Sequence, residues 1–149
     1  MRDAQMMFNA VAGQTITATA ASSNSIDLAD ALHQIGQTVK KISLKCRIVG
    51  AFSTLTSLDI AFQDSADNSS FNDTDTKIST VLVAKLVLGA VIMDINLGPS
   101  MAGLSATVST LLGTPPGATP LRRYVRMNYT VNGSNAGAGS VIDSWLDVM

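Results

Sequence analysis

The strongest constraint on this chain is a period-two alternation of apolar and polar side chains that recurs along its length. Ile42, Leu44, Cys46 and Ile48 fall on one side of such a run, with Ser43, Lys45 and Arg47 on the other. Successive side chains of an extended strand face opposite ways, so this pattern describes a strand with one buried face. The same reading holds where Leu58, Ile60 and Phe62 alternate with Ser57, Asp59 and Ala61. It holds again where Val91, Met93, Ile95 and Leu97 alternate with Ile92, Asp94 and Asn96. Near the end, Val125, Met127, Tyr129 and Val131 alternate with Tyr124, Arg126, Asn128 and Thr130. In the last run Ile142, Leu146 and Val148 oppose Val141, Asp143, Trp145 and Asp147.

Further strands are weaker in pattern. Thr15, Thr17 and Thr19 set against Ile16, Ala18 and Ala20 predict one strand, and residues 24–28 a short one. The run 78–88 is almost continuously apolar, as a strand buried on both faces would be. Turn chemistry divides these runs. Residues 63–70 are rich in Asp, Asn and Ser, which bond their own backbone. Asn132-Gly133 between two strand patterns is a hairpin signal. Seven or eight short strands with turns between them predict an all-β, antiparallel sandwich or barrel in a single domain spanning 1–149. Two stretches carry apolar residues at helical spacing and predict one or two short helices in loops. They are 26–40, with Leu28, Leu32 and Ile35, and the uncharged 98–113, with Met101, Leu104, Val108 and Leu111.

Composition narrows the function. All 11 acidic residues are Asp, and charged residues make up 14% of the chain against a typical ~25%. A net charge of −1 supplies no general field for nucleic acid. No apolar run reaches the ~18 residues of a membrane helix, and residues 1–5 lack the apolar core of a signal peptide. One cysteine, Cys46, and one histidine, His33, leave a Cys/His zinc site out of reach. Cys46 reads as a small buried hydrophobe. No nucleophile elbow and no phosphate-binding glycine loop is present. Asp143 and Asp147 stand ~13 Å apart along a strand, too far for a glycosidase pair. Catalytic residues, cofactors and metals are therefore not expected. The one cation candidate is the carboxylate group Asp64, Asp67, Asp73 and Asp75, which does not match an EF-hand because Ala66 and Ser69 stand where a ligand and a glycine are needed.

The outward strand faces carry the contact candidates. Trp145, flanked by Asp143 and Asp147, suits an interface anchor. Arg122, Tyr124 and Arg126 form a basic-aromatic row whose most economical use is ion pairing with Asp, within the fold or across a subunit contact. Met101 and Leu104 in the uncharged stretch, and Phe8 in the apolar N-terminal segment Met6-Met7-Phe8, complete the set. A free apolar chain end can add a strand to a neighbour's sheet.

The C-terminal run Arg123-Tyr124-Val125-Arg126-Met127-Asn128-Tyr129-Thr130-Val131, followed by Ala138-Gly139-Ser140-Val141, resembles the Bbp16-like capsid cement proteins of tailed bacteriophages. The segment 14–28 and Phe62-Gln63-Asp64-Ser65-Ala66-Asp67 with Phe71 resemble further parts of that family. The resemblance implies a jelly-roll β-sandwich on the outside of a phage head. It also implies the major capsid protein as partner, self-association as a homotrimer or homodimer on a local symmetry axis, and no catalytic residue. The alternative, from another functional class, is a carbohydrate- or receptor-binding jelly roll on a virion, with Asp64–Asp75 as its optional calcium site.

Overall fold

The structure is a computed structural model that describes residues 6–10, 12–28, 42–96 and 122–148. Among the described residues, nine strands form two antiparallel sheets. They are β1 (Gln14–Thr15), β2 (Ala20–Ala21), β3 (Ile26–Asp27), β4 (Ile42–Gly50), β5 (Leu55–Ser65), β6 (Asn72–Leu82), β7 (Val91–Asn96), β8 (Tyr124–Gly133) and β9 (Val141–Val148). One sheet has the order β1-β9-β4-β7, the other β2-β8-β5-β6, with β3 also pairing β8. The pairs are nested: β5 with β6, β4 with β7, β2 and β3 with β8, and β1 with β9. A long hairpin rolled up in this way is a jelly roll, and the expected all-β sandwich is what the chain forms.

The alternation places the core. Leu44, Cys46 and Ile48 from β4, Met93 from β7 and Ile142 and Leu146 from β9 face Leu58, Ile60 and Phe62 from β5 and Val125, Met127 and Tyr129 from β8, all buried. Phe8 joins them edge-on to Phe62, with ring centroids 6.1 Å apart. Burying each such side chain stabilises by roughly 1.5–3 kcal/mol, enough in sum to hold a domain with few ion pairs.

Five readings of the pattern are corrected. Residues 15–20 are not one strand. β1 lies in the first sheet and β2 in the second, because the chain turns the corner of the sandwich at 17–19. There the N–H of Ala136 donates to the Thr17 carbonyl, and the N–H of Val131 to the Thr19 hydroxyl. The run 78–88 is not buried on both faces. It divides into the end of edge strand β6, a 3-10 turn at Val83–Lys85 and a loop in which Leu86 reaches the core. Gln63, Asp64 and Ser65 belong to β5 rather than to the loop, since β8 continues alongside as far as Tyr124. Asn132-Gly133 does not close a hairpin, because β8 and β9 belong to different sheets. Gly133 has φ +87, and a Cβ there would strike Thr56. Finally, Val91 points outward, because the β4–β7 register shifts between Cys46 and Arg47 and reverses the phase.

Candidate interface surfaces

The row Arg122, Tyr124 and Arg126 lies at the start of β8 and on its outer face. Its charges are bound within the fold. The Asp64 carboxylate accepts the backbone N–H of Arg122 at 3.0 Å and stands 3.8 Å from its Nε. The guanidinium of Arg123 donates to both oxygens of Asp27, at 2.9 and 2.7 Å, and stands 5.1 Å from the Tyr124 ring centre. Arg126 Nε donates to Gln63 at 2.8 Å, while its guanidinium stacks 4.1 Å from the Phe71 ring centre. Gln63 in turn donates to Asp73 at 2.7 Å. Exposed pairs of this kind are worth about 0–1 kcal/mol each, so their effect is chiefly to fix side-chain positions. A guanidinium this close to the face of an aromatic ring makes a cation–π contact.

Trp145 lies on the opposite outer face, that of the β1-β9-β4-β7 sheet. Lys45 sits directly across from it on β4, and the Arg47 guanidinium is 5.8 Å from its ring centre. Lys45 stands between Asp94 at 3.3 Å and Asp147 at 3.7 Å. The sequence-based contact residues thus occupy two faces of the sandwich rather than one patch. Trp145 and Tyr124 are both half-buried, Arg126 likewise, and Arg122 is exposed.

Asp143, expected on the open surface beside Trp145, is buried, and so is Asn9. The N-terminal segment runs antiparallel to β9, with Met7 opposite Trp145 and the Phe8 N–H donating to the Ser144 carbonyl at 3.0 Å. At Asn9 the side chain takes over the role of the backbone. Its Nδ2 donates to Asp143 at 3.1 Å and to the Ala10 carbonyl at 2.8 Å, and its Oδ1 accepts the N–H of Ser144 at 2.8 Å. Arg47 adds an ion pair to Asp143 at 3.4 Å. A buried carboxylate is tolerable because it is both hydrogen-bonded and paired. Asn9 carried no signal in the alternation, since its contacts span more than 130 residues of sequence.

Phe8 is corrected as a contact residue. It is fully buried, as are Met6 and Met7 nearly so, and this segment completes the chain's own sheet and core. Met101 and Leu104, His33 and most of the two helix-spaced stretches lie outside the described residues.

The four carboxylates of the calcium reading do not converge. Asp64 serves Arg122, and Asp73 serves Gln63. Asp67 Oδ1 accepts the N–H groups of Ser69 at 3.0 Å and Ser70 at 2.9 Å, and the Ser65 hydroxyl at 2.8 Å. These bonds, Ser70 first, hold the Asp67 carboxyl well below the usual carboxylate range. Among the described residues no three His, Cys or Asp side chains stand together as metal ligands would.

Two chemically capable groups are sealed in the core. Burial pushes the Cys46 thiol up to about 12, against a weaker downward effect of its bond to Ser144. Burial likewise raises Tyr129 well above its ordinary value. Both stay neutral and act as packing groups with one polar handle each.

No curated protein matches the chain. A protein-family model does, over residues 10–144, which takes in every strand from β1 to the middle of β9. The chain belongs to the Bbp16 family, a phage-associated family.

Proposed function

We propose that this protein is a cement, or decoration, protein that binds the outer surface of a tailed-phage capsid and stabilises contacts between major capsid protein subunits. The observation that carries this reading is the family match over most of the chain, on a jelly-roll sandwich. The placement of the contact candidates supports it. A clamp needs at least two faces, and Trp145 lies on one outer face while Arg122, Tyr124 and Arg126 lie on the other. Each face meets a different neighbour, the major capsid protein or a second copy of this chain, arranged as a homotrimer or homodimer on a local axis. Closed symmetry makes such contacts self-limiting.

The mechanism is additive. Each copy contributes modest contacts, and occupancy of many equivalent sites raises the work needed to part capsid subunits. Binding to the assembled shell and not to free subunits stabilises assembly by mass action.

The test uses phage heads stripped of this protein. Purified protein is added back, bound copies per head are counted, and the temperature of DNA release is measured. Saturable binding with a higher release temperature is expected. Absence of binding, or binding with no change in release temperature, overturns the proposal.

A further inference from the structure

The sandwich has one end with almost no charge. Four connections meet there: 16–19, 51–54, 83–90 and 134–140. Backbone bonds tie them together. The Phe52 N–H donates to the Leu86 carbonyl at 2.9 Å, Ala136 to Thr17 at 2.9 Å and Gly137 to Ser53 at 3.2 Å. Of the residues in these connections only Lys85 is ionisable. At the same end stand all the large exposed apolar side chains found among the described residues. They are Leu82 (53% exposed), Val87 (51%), Leu88 (73%) and Val91 (62%). Val87 and Leu88 form a knob on a tight turn, closed by the Ala90 N–H bonding to the Val87 carbonyl at 3.0 Å. Gly89, at φ +84, lets the chain turn back, and a Cβ placed there would touch nothing. The paired ions around Asp27, Asp64 and Arg123, by contrast, cluster at the opposite end, by the 66–71 hairpin.

We infer that this end, uncharged but for Lys85 and carrying the Val87-Leu88 knob at its β6–β7 edge, is the surface that seats on the capsid shell, in an apolar, uncharged depression of the major capsid protein. The inference rests on the cement reading and specifies its geometry. Two arguments select the shell over a second copy. The four side chains offer on the order of 300 Å², well short of the roughly 800 Å² per partner that a stable free-standing interface buries. A contact that small suffices when many copies are held on one particle and the lateral faces add their own contacts. The near-absence of charge matches an apolar site, since a charged rim would have to be desolvated on seating.

The experiment measures binding of full-length protein to stripped heads for the wild type, Leu88→Asp, Leu88→Ser and Ser69→Asp. Ser69 is exposed on the opposite hairpin tip. Folding of each is followed by its urea midpoint, and Leu88→Ser stands in if the Asp variant unfolds. The inference expects about tenfold or greater weakening for either Leu88 variant, with Ser69→Asp unchanged, because a polar group in an apolar seat is left unpaired. Wild-type-like binding by both folded Leu88 variants overturns it, and so does equal weakening by Ser69→Asp. Loss of self-association with shell binding intact assigns the knob to a second copy and overturns it too. Failure of the wild-type protein itself to bind heads overturns the cement reading instead, which keeps the two failures distinct.

Discussion

The phenol oxygen of Tyr129 and the hydroxyl of Ser144 lie 2.8 Å apart between the sheets, with both residues fully buried. Tyr129 belongs to β8 and Ser144 to β9, so this bond spans the two sheets of the sandwich. The Ser144 hydroxyl also reaches Cys46 Sγ at 3.4 Å. A polar bridge in an otherwise apolar layer specifies how the sheets align, because every misalignment strands a buried hydroxyl.

Tyr129→Phe is expected to cost about 1 kcal/mol, the net worth of a neutral buried hydrogen bond. Ser144→Ala is expected to cost a similar amount or more, since it leaves the phenol unpaired. A double-mutant cycle by urea denaturation checks this. A coupling energy indistinguishable from zero would show that the bridge contributes nothing to alignment.

Cys46 should resist thiol reagents in the native protein at pH 8 and react at once in urea. Its raised titration also predicts a pH effect. The unfolded thiol ionises near its ordinary value of 9.0, the folded one near 12. Stability from this group is therefore intact below pH 9 and declines as pH rises toward 12. Cys46→Ala should flatten the alkaline limb of a stability-versus-pH curve. An unchanged limb would assign the loss to other groups.

Asn9→Ala should be among the most damaging polar substitutions. It removes three hydrogen bonds and leaves the Ser144 N–H and the Asp143 carboxylate short of partners in a buried place. A loss of about 2–4 kcal/mol is expected. Asn9→Asp should be at least as severe, because it sets two carboxylates side by side. Thermal denaturation of both variants gives the comparison.

Phe8→Ala should destabilise by about 3–5 kcal/mol through the cavity it leaves against Phe62. The measurement is equilibrium unfolding of the free protein. Were Phe8 a docking residue, the variant would keep its stability and lose only shell binding.

Asp67→Ala should release the hairpin tip without unfolding the domain. Its carboxylate is held low by the N–H groups of Ser70 and Ser69. The ordering it provides is present above the usual carboxylate range and lost only as pH falls below it. Amide exchange at Ser69 and Ser70 should accelerate in the variant, while exchange in β8 stays unchanged.

Much of this molecule was legible in one dimension. The alternation in β4, β5, β8 and β9 named the core side chains Leu44, Cys46, Leu58, Phe62, Val125, Met127 and Ile142 correctly, because the pleat forces successive residues to opposite faces whatever the sheet around them. The outward row suggested ion pairing with Asp, and Arg122 does meet Asp64, whereas Arg126 turns instead to Gln63 and the Phe71 ring. The alternation identifies the contact candidates but not their arrangement. Nothing in the local pattern says that Trp145 and Tyr124 look out from opposite sides.

Tertiary structure decided the rest. The break at 17–19, the crossing after Gly133 and the exposure of Leu82, Val87, Leu88 and Val91 depend on which sheet each strand joins. Period two reports a face but not a neighbour, so an apolar run on an edge reads the same as one in the middle of a sheet. Asn9 and Phe8 show the same limit. Their roles come from β9 and β5, far along the chain, and such contacts form only when the hairpin has rolled up and the entropy of closing those long loops has been met.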